Sequence, residues 1–340
     1  MEGEPRVAVV GAGRMGAAMV GTLRRAGVPV VVFNRTPSKA EAAAETAGAE
    51  VAATAREAAA GAQVVLSSLA DDAAVEAAYT GPDGVVAGLE PGTVVCESST
   101  IDPGTVRRLA PLVSERGAFL LDTPVSGSVS TVEAGQLTIM AGGDPAVLDR
   151  VRPVLEPLAK QVFHMGELGS GAVMKLTVNS VLHGLNLALA EGLVLAERAG
   201  VARGTAYEVI ASSAVAAPFV HYKREAFEHP GRPPVAFSLD LVAKDLELIM
   251  ALADRAGATM EQAAANRRIV QAAEIVPAQA RLAFGEVLPV ERVEHRARAV
   301  RIAFAQASAR AHEAHLGILA RGEHDARVRL GGFELAEVFG

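Results

Sequence analysis

The chain contains a single cysteine, Cys96, among 340 residues. One thiol excludes an intramolecular disulfide and fits a reducing compartment, so the cytoplasm is the expected location. A free cysteine usually behaves as a small buried hydrophobe, which makes Cys96 a poor candidate nucleophile. Basic residues are also in the minority. The 32 Lys and Arg face 39 Asp and Glu, for a net charge of −7. That balance argues against nucleic acid as the main partner. No uncharged run is long enough for a membrane span. The nearest, Val178 to Ala190, is bounded by Lys175 and Glu191. The first residues, Met1-Glu-Gly-Glu-Pro-Arg6, are charged and lack the apolar core of a signal peptide, so none is expected. No internal repeat is found, and no low-complexity segment beyond alanine richness. What remains is an ordinary globular composition, half hydrophobic and 21% charged, with length enough for two cores.

Short apolar runs alternate with alanine-rich helical stretches through the first half. Strands are predicted at Val7–Val10, Val30–Phe33, Val64–Ser67, Thr93–Glu97, Phe119–Asp122 and Leu137–Gly142. A last short one is predicted over Gln161–His164. Near-continuous apolar strands separated by helices imply a parallel sheet covered on both faces. After Gly166 the strand signals stop and helices follow, the longest from about Gly171 to Ala199. The boundary falls at Gly166–Gly169. It gives an α/β domain over residues 1–166 and an all-α domain over 167–340. His229-Pro-Gly-Arg-Pro-Pro234 reads as an exposed loop by its turn chemistry. Beyond about Ile275 the pattern is irregular, although Val290 to Arg321 has helical periodicity.

Gly11-Ala-Gly13-Arg14-Met15-Gly16 follows the first strand and opens a helix. Its glycines permit a tight turn and close approach to a pyrophosphate, and the helix N-terminus supplies free N–H groups. In that context the spacing marks a Rossmann-like, doubly wound dinucleotide site. The second strand ends at Phe33, followed by Asn34-Arg35-Thr36. An acid that would hold a ribose 2′-hydroxyl is missing there, while Arg35 and Thr36, with Lys39 beyond, suit a 2′-phosphate. The predicted cofactor is therefore NADP(H). Leu69, after the third strand, and Thr100, after the fourth, stand at the carboxyl edge of the sheet, where ligands bind. Simple loop chemistry would also account for both.

Lys175 lies in Gly171-Ala-Val-Met-Lys175-Leu-Thr-Val-Asn179, an otherwise apolar helix. Asn179, four residues on, shares its face. Burying an ammonium is costly unless it is paired or its pKa falls, so the position calls for a reason, and proton transfer beside a cofactor supplies one. Asp122-Thr-Pro-Val-Ser126-Gly127-Ser128 offers hydroxyls and backbone N–H groups suited to a small carboxylate. A plain serine-glycine turn fits the same residues. In Phe237-Ser-Leu-Asp240-Leu-Val-Ala-Lys244-Asp245-Leu, Lys244 reads either as half of a solvated pair or as a cation reaching the bound anion. His183 and Asn186 continue the Lys175–Asn179 side of the helix at roughly helical spacing, where they read either as a polar stripe or as satisfied buried side chains. His312-Glu-Ala-His315 lacks metalloprotease spacing.

These motifs, with Gly135-Gln-Leu-Thr-Ile-Met-Ala-Gly-Gly143, occur in an order that resembles the β-hydroxyacid dehydrogenase family over roughly residues 6 to 260. That family includes 3-hydroxyisobutyrate dehydrogenase, tartronate semialdehyde reductase and glyoxylate/succinic semialdehyde reductase. The resemblance implies that Lys175 is the catalytic acid/base and that Asn179 orients the substrate. It implies that Thr100, Ser126, Gly127 and Ser128 meet the substrate, that Phe237 and Asp245 close the pocket, and that Lys244 lies near the nicotinamide. It also implies a homodimer or homotetramer. Gly127-Ser128, where the commoner motif has two glycines, looks more like the glyoxylate/succinic semialdehyde reductase branch. Thr123 stands where alanine is frequent, and the tail after about residue 275 matches no usual C-terminal helix. Two other functions compete. One is an imine reductase, against which Lys175 argues. The other is a catalytically silent dinucleotide-binding protein. Decarboxylating 6-phosphogluconate dehydrogenase is a weaker relative with a larger helical domain.

Overall fold

The computed structural model describes residues 5–229 and 237–274. The predicted loop at Pro230–Pro234, the tail after residue 275 and the His312–His315 pair lie outside the described residues.

The first strand, β1 (Val7–Val10), is buried on both faces, as are β4 (Val64–Ser67) and β5 (Val94–Glu97). That explains their unbroken apolar runs. β2 (Val30–Phe33) and β3 (Glu50–Val51) extend the sheet on one side, and β6 (Phe119–Asp122) on the other. All six are parallel, in the order β3-β2-β1-β4-β5-β6. The sheet then departs from the parallel expectation. β8 (Leu137–Gly142) runs antiparallel to β6 and to β7 (Val125–Ser126), while β9 (Ala159–Gly166) pairs parallel to β8. β7 sits inside the segment predicted as a turn and is two residues long, too short to show alternation. β3 is equally short, with Val51 exposed at the edge. β9 runs past its predicted ends because exposed Lys160 and Gln161 mask a solvent-facing edge strand.

Helices α1 (Arg14–Arg25), α2 (Pro37–Ala47), α7 (Val129–Glu133) and α8 (Pro145–Leu155) accompany α3 (Ala55–Ala59), α4 (Asp72–Tyr79), α5 (Val85–Gly88) and α6 (Pro103–Ser114) around the sheet. Alternate strand residues feed two cores. Val7, Val9, Leu66 and Cys96 pack with Met19 and Leu23, while Ala8, Val10, Val65 and Val95 pack with Tyr79 and Leu109. Fully burying one such Val or Leu contributes about 1.5–3 kcal/mol.

α9 (Ser170–Arg198) is the spine of the helical part. By length and composition alone it could cross a membrane, with 29 residues and an 18-residue stretch of mean hydropathy 1.3. In the fold α10 (Arg203–Ala211), α13 (Leu239–Ala256) and α14 (Glu261–Glu274) pack against it. Short α11 (Pro218–Tyr222) and α12 (Arg224–Glu228) close one end, where Phe219, Val220 and Phe227 bury against Leu193 and Tyr207. Leu176, Val242, Leu246 and Val270 form a second cluster. α9 has no side-chain cap of its own at Gly169. Asp122, at the end of β6, supplies one. Its carboxylate accepts from Gly169 N at 2.8 Å and from Ala172 N at 2.7 Å. The strand that begins the serine-glycine turn therefore also anchors the helix that carries Lys175.

Candidate active site

The glycine loop is shaped by contact. A Cβ on Gly11 would lie 2.3 Å from the Ser68 carbonyl oxygen, and one on Gly16 would lie 1.8 Å from the Gly11 oxygen. Gly11 also holds a φ of +104°, which a side chain would strain. At Gly13, among the described residues, nothing beyond its chain neighbours and its own helix backbone lies within 4 Å of where a Cβ would stand, so they leave open space above the N-terminus of α1. This cradle fits a dinucleotide pyrophosphate. Asn34 pins the neighbouring turn. It accepts from Ala12 N at 3.0 Å and donates to the Thr36 carbonyl at 3.0 Å. Arg35, Thr36 and Lys39 are exposed beyond it.

A cavity of about 620 Å³ opens beside the cradle, at the carboxyl ends of β4 and β5. Gly13, Arg14, Met15, Leu69 and Thr100 line its sheet side, with Gly127 and Ser128 from the turn after β7. The helical side contributes Lys175, Asn179, Phe237, Lys244 and Asp245. Gly11, Gly16, Asn34, Arg35, Thr36 and Ser126 are not on this wall. The two glycines act through backbone packing, Asn34–Thr36 sit at the end of β2, and Ser126 pairs with Thr138 in the sheet.

Asp245 is the hub of the helical wall. It is 1% exposed. Asn179 Nδ2 donates to its Oδ2 at 2.6 Å, and Lys244 Nζ lies 3.0 Å from its Oδ1. His183 Nε2 stands 3.6 Å from Oδ2, too long for a hydrogen bond. Burial pushes the Asp245 carboxyl up, but His183, Lys244 and Lys175 pull it down further, so its net shift is downward. It remains a carboxylate at neutral pH. Lys244 Nζ also donates to the Thr100 carbonyl at 2.5 Å, joining the helical wall to the sheet wall. That contact replaces the solvated-pair reading of Lys244. Lys175 is half-buried at the edge of this cluster. Burial lowers its amine to about 8; Asp245 opposes that shift and Lys244 adds to it.

Three further residues shape the site, and of these only Glu97 escaped the sequence reading. His183 and Asn186 are buried as expected, yet both line the cavity. Among the described residues His183 Nε2 and Asn179 Oδ1 have no hydrogen-bond partner, so the reading of His183 as a satisfied core residue is corrected. The i, i+4 spacing of Lys175, Asn179 and His183 was the signal available. Glu97 is the third. It is 1% exposed, accepts from Ser67 Oγ at 2.5 Å and from Ser99 N at 2.7 Å, and Ser99 Oγ accepts from Leu69 N at 2.8 Å. Burial pushes its carboxyl up. This network holds the loops bearing Leu69 and Thr100.

Residues 6–166 match a family model described as the NAD binding domain of 6-phosphogluconate dehydrogenase. Residues 169–281 match the NAD-binding domain of NADP-dependent 3-hydroxyisobutyrate dehydrogenase. The chain belongs to the β-hydroxyacid dehydrogenase family. It is thus one of the family's NAD(P)-dependent dehydrogenases and reductases acting on CH–OH groups. Within the family, 2-(hydroxymethyl)glutarate dehydrogenase of Eubacterium barkeri is 34% identical over 251 residues, 74% of this chain and 83% of that one. Glyoxylate/succinic semialdehyde reductase 1 of Arabidopsis thaliana is 33% identical, covering 76% of this chain and 89% of that one. The solved structure of Mycobacterium tuberculosis 3-hydroxyisobutyrate dehydrogenase with L-serine aligns at a TM-score of 0.69 and 34% identity, over 83% of this chain and 97% of that one. The glyoxylate/succinic semialdehyde branch therefore stands among several relatives of similar distance.

Proposed function

We propose that this family member uses NADP(H) to move a hydride to or from a small β-hydroxy acid, semialdehyde or 2-oxo acid, with Lys175 as general acid/base. The bound nicotinamide supplies or takes the hydride. In reduction Lys175 Nζ donates a proton to the carbonyl oxygen as negative charge gathers there. In oxidation the neutral amine accepts the hydroxyl proton. Asn179, held by Asp245, orients that oxygen. Gly127 and Ser128 seat the substrate carboxylate at the turn after β7, which Ser126 ties to β8, with Thr100 opposite and Phe237 over the mouth. Gly11, Gly13, Arg14, Met15 and Gly16 cradle the pyrophosphate beside Leu69. Arg35 and Thr36 take the 2′-phosphate, and Lys244 lies by the nicotinamide ribose.

One observation carries this reading. An amine lowered to about 8 lies in a cavity next to a dinucleotide cradle, where both of its protonation states are populated near neutral pH. Lys175→Ala should cost about 10²–10⁴-fold in kcat while NADPH still binds. The measurement is NADPH consumption with a panel of small aldehydes and 2-oxo acids. Near-normal turnover would remove Lys175 from the mechanism.

We also infer self-association. Val181 and Leu195 on α9 and Val209 on α10 are 70%, 70% and 65% exposed. Val181 and Leu195 are close to four helical turns apart and share a face. A second copy of that face would cover them.

A further inference from the structure

Lys223 stands between α11 and α12, and its side chain lines the same cavity as Gly13, Arg14 and Met15. It is half-buried, and among the described residues no carboxylate lies within ion-pair distance of it. The next residue, Arg224, takes both Glu208 and Glu228. Glu225 reaches the same wall without pairing to Lys223. Burial lowers the Lys223 amine, and repulsion from the Arg14 guanidinium lowers it further. Two cations thus line one cleft, one from the first residue of α1 and one from the helical part. An anion between them would relieve the repulsion and offset the desolvation of Lys223.

The position identifies the anion. Arg14 follows Gly13 at the N-terminus of α1, where the open space lies and where the helix end favours a phosphate. The 2′-phosphate would lie elsewhere, beside Arg35 at the end of β2. We propose that Lys223, across the cavity lining from Arg14, clamps the pyrophosphate of the bound dinucleotide, so that the helical part holds the cofactor at its phosphates as well as through Lys244. The clamp rests on the dinucleotide reading of the cradle and is independent of the preference for NADPH. It gives cofactor binding a direct role in drawing the two walls of the cleft together.

The test measures binding of NADPH and of NADH separately, by fluorescence titration of the full chain. Lys223→Gln should weaken both by the same factor, about ten- to a hundredfold for a lost charge-assisted contact. Lys223→Arg should restore most of the loss for both cofactors, because the charge returns at a similar reach. Arg35→Ala is the contrast, because it should weaken NADPH alone. Lys223→Met, with a side chain of similar length and no charge, gives the same readout if the glutamine variant folds poorly. Wild-type affinity for both cofactors in Lys223→Gln overturns the clamp. So does a loss confined to NADPH, which would move Lys223 to the 2′-phosphate, and so does a change in substrate KM alone. Failure of the wild-type chain to bind either dinucleotide overturns the cradle reading itself, and the clamp with it.

Discussion

At Lys175 two opposing effects meet on one nitrogen. Desolvation lowers the amine from the usual 10.5 to about 8, while the Asp245 carboxylate resists. In the proposed mechanism the protonated form is the acid for reduction, so reductive kcat/KM should fall as pH rises through about 8. The neutral form is the base for oxidation, so the oxidative rate should rise through the same value. Initial rates in both directions against pH read this directly. Profiles that move together would exclude a shared acid/base. Stability follows the same shift. Because the folded amine binds its proton less tightly than the unfolded one, the fold should gain stability as pH climbs from about 8 towards 10.5. Lys175 and Asn179 were legible in the sequence because a cation and an amide stand out in an apolar helix. Glu97 was not. It reads as one acid at a strand end, and its significance depends on Ser67 and Ser99 meeting it from two loops.

α9 depends on a cap that its own sequence does not provide. Asp122 satisfies two of its first N–H groups from 47 and 50 residues away. A buried N–H left unpaired costs about 1–3 kcal/mol. Asp122→Ala should therefore lower the urea midpoint by the equivalent of at least about 2 kcal/mol without changing the slope. Turnover should fall too, since Lys175 lies less than one turn beyond Ala172. An unchanged midpoint would show that water caps the helix equally well. Such long-range caps leave no local signal, which is why the helix was legible and its anchor was not. β7 was lost for a related reason. Two residues bounded by Pro124 and Gly127 look like a turn until β8 is known to lie alongside.

For the molecule as a whole, alternation of strands and helices revealed the doubly wound sheet, because strands buried on both faces must be apolar throughout. The antiparallel return of β8 was hidden, since the direction of a strand is not written in its composition. The exposed face of α9 and α10 bears on assembly. Leu195→Asp should shift the particle mass measured by light scattering from oligomer to monomer, while the secondary structure stays intact. A mass unchanged by the substitution would place the interface elsewhere.

The Asp122 anchor has a mechanical consequence. It fastens α9 to the sheet at its N-terminal end, so a cleft opening that kept this anchor would turn the helix about that end. Lys175 sits about 9 Å from this pivot and Arg198 over about 40 Å from it, at 1.5 Å per residue. A swing that carries the outer helices several ångströms would displace Lys175 by a fraction of that, leaving it almost stationary while the door around it moves.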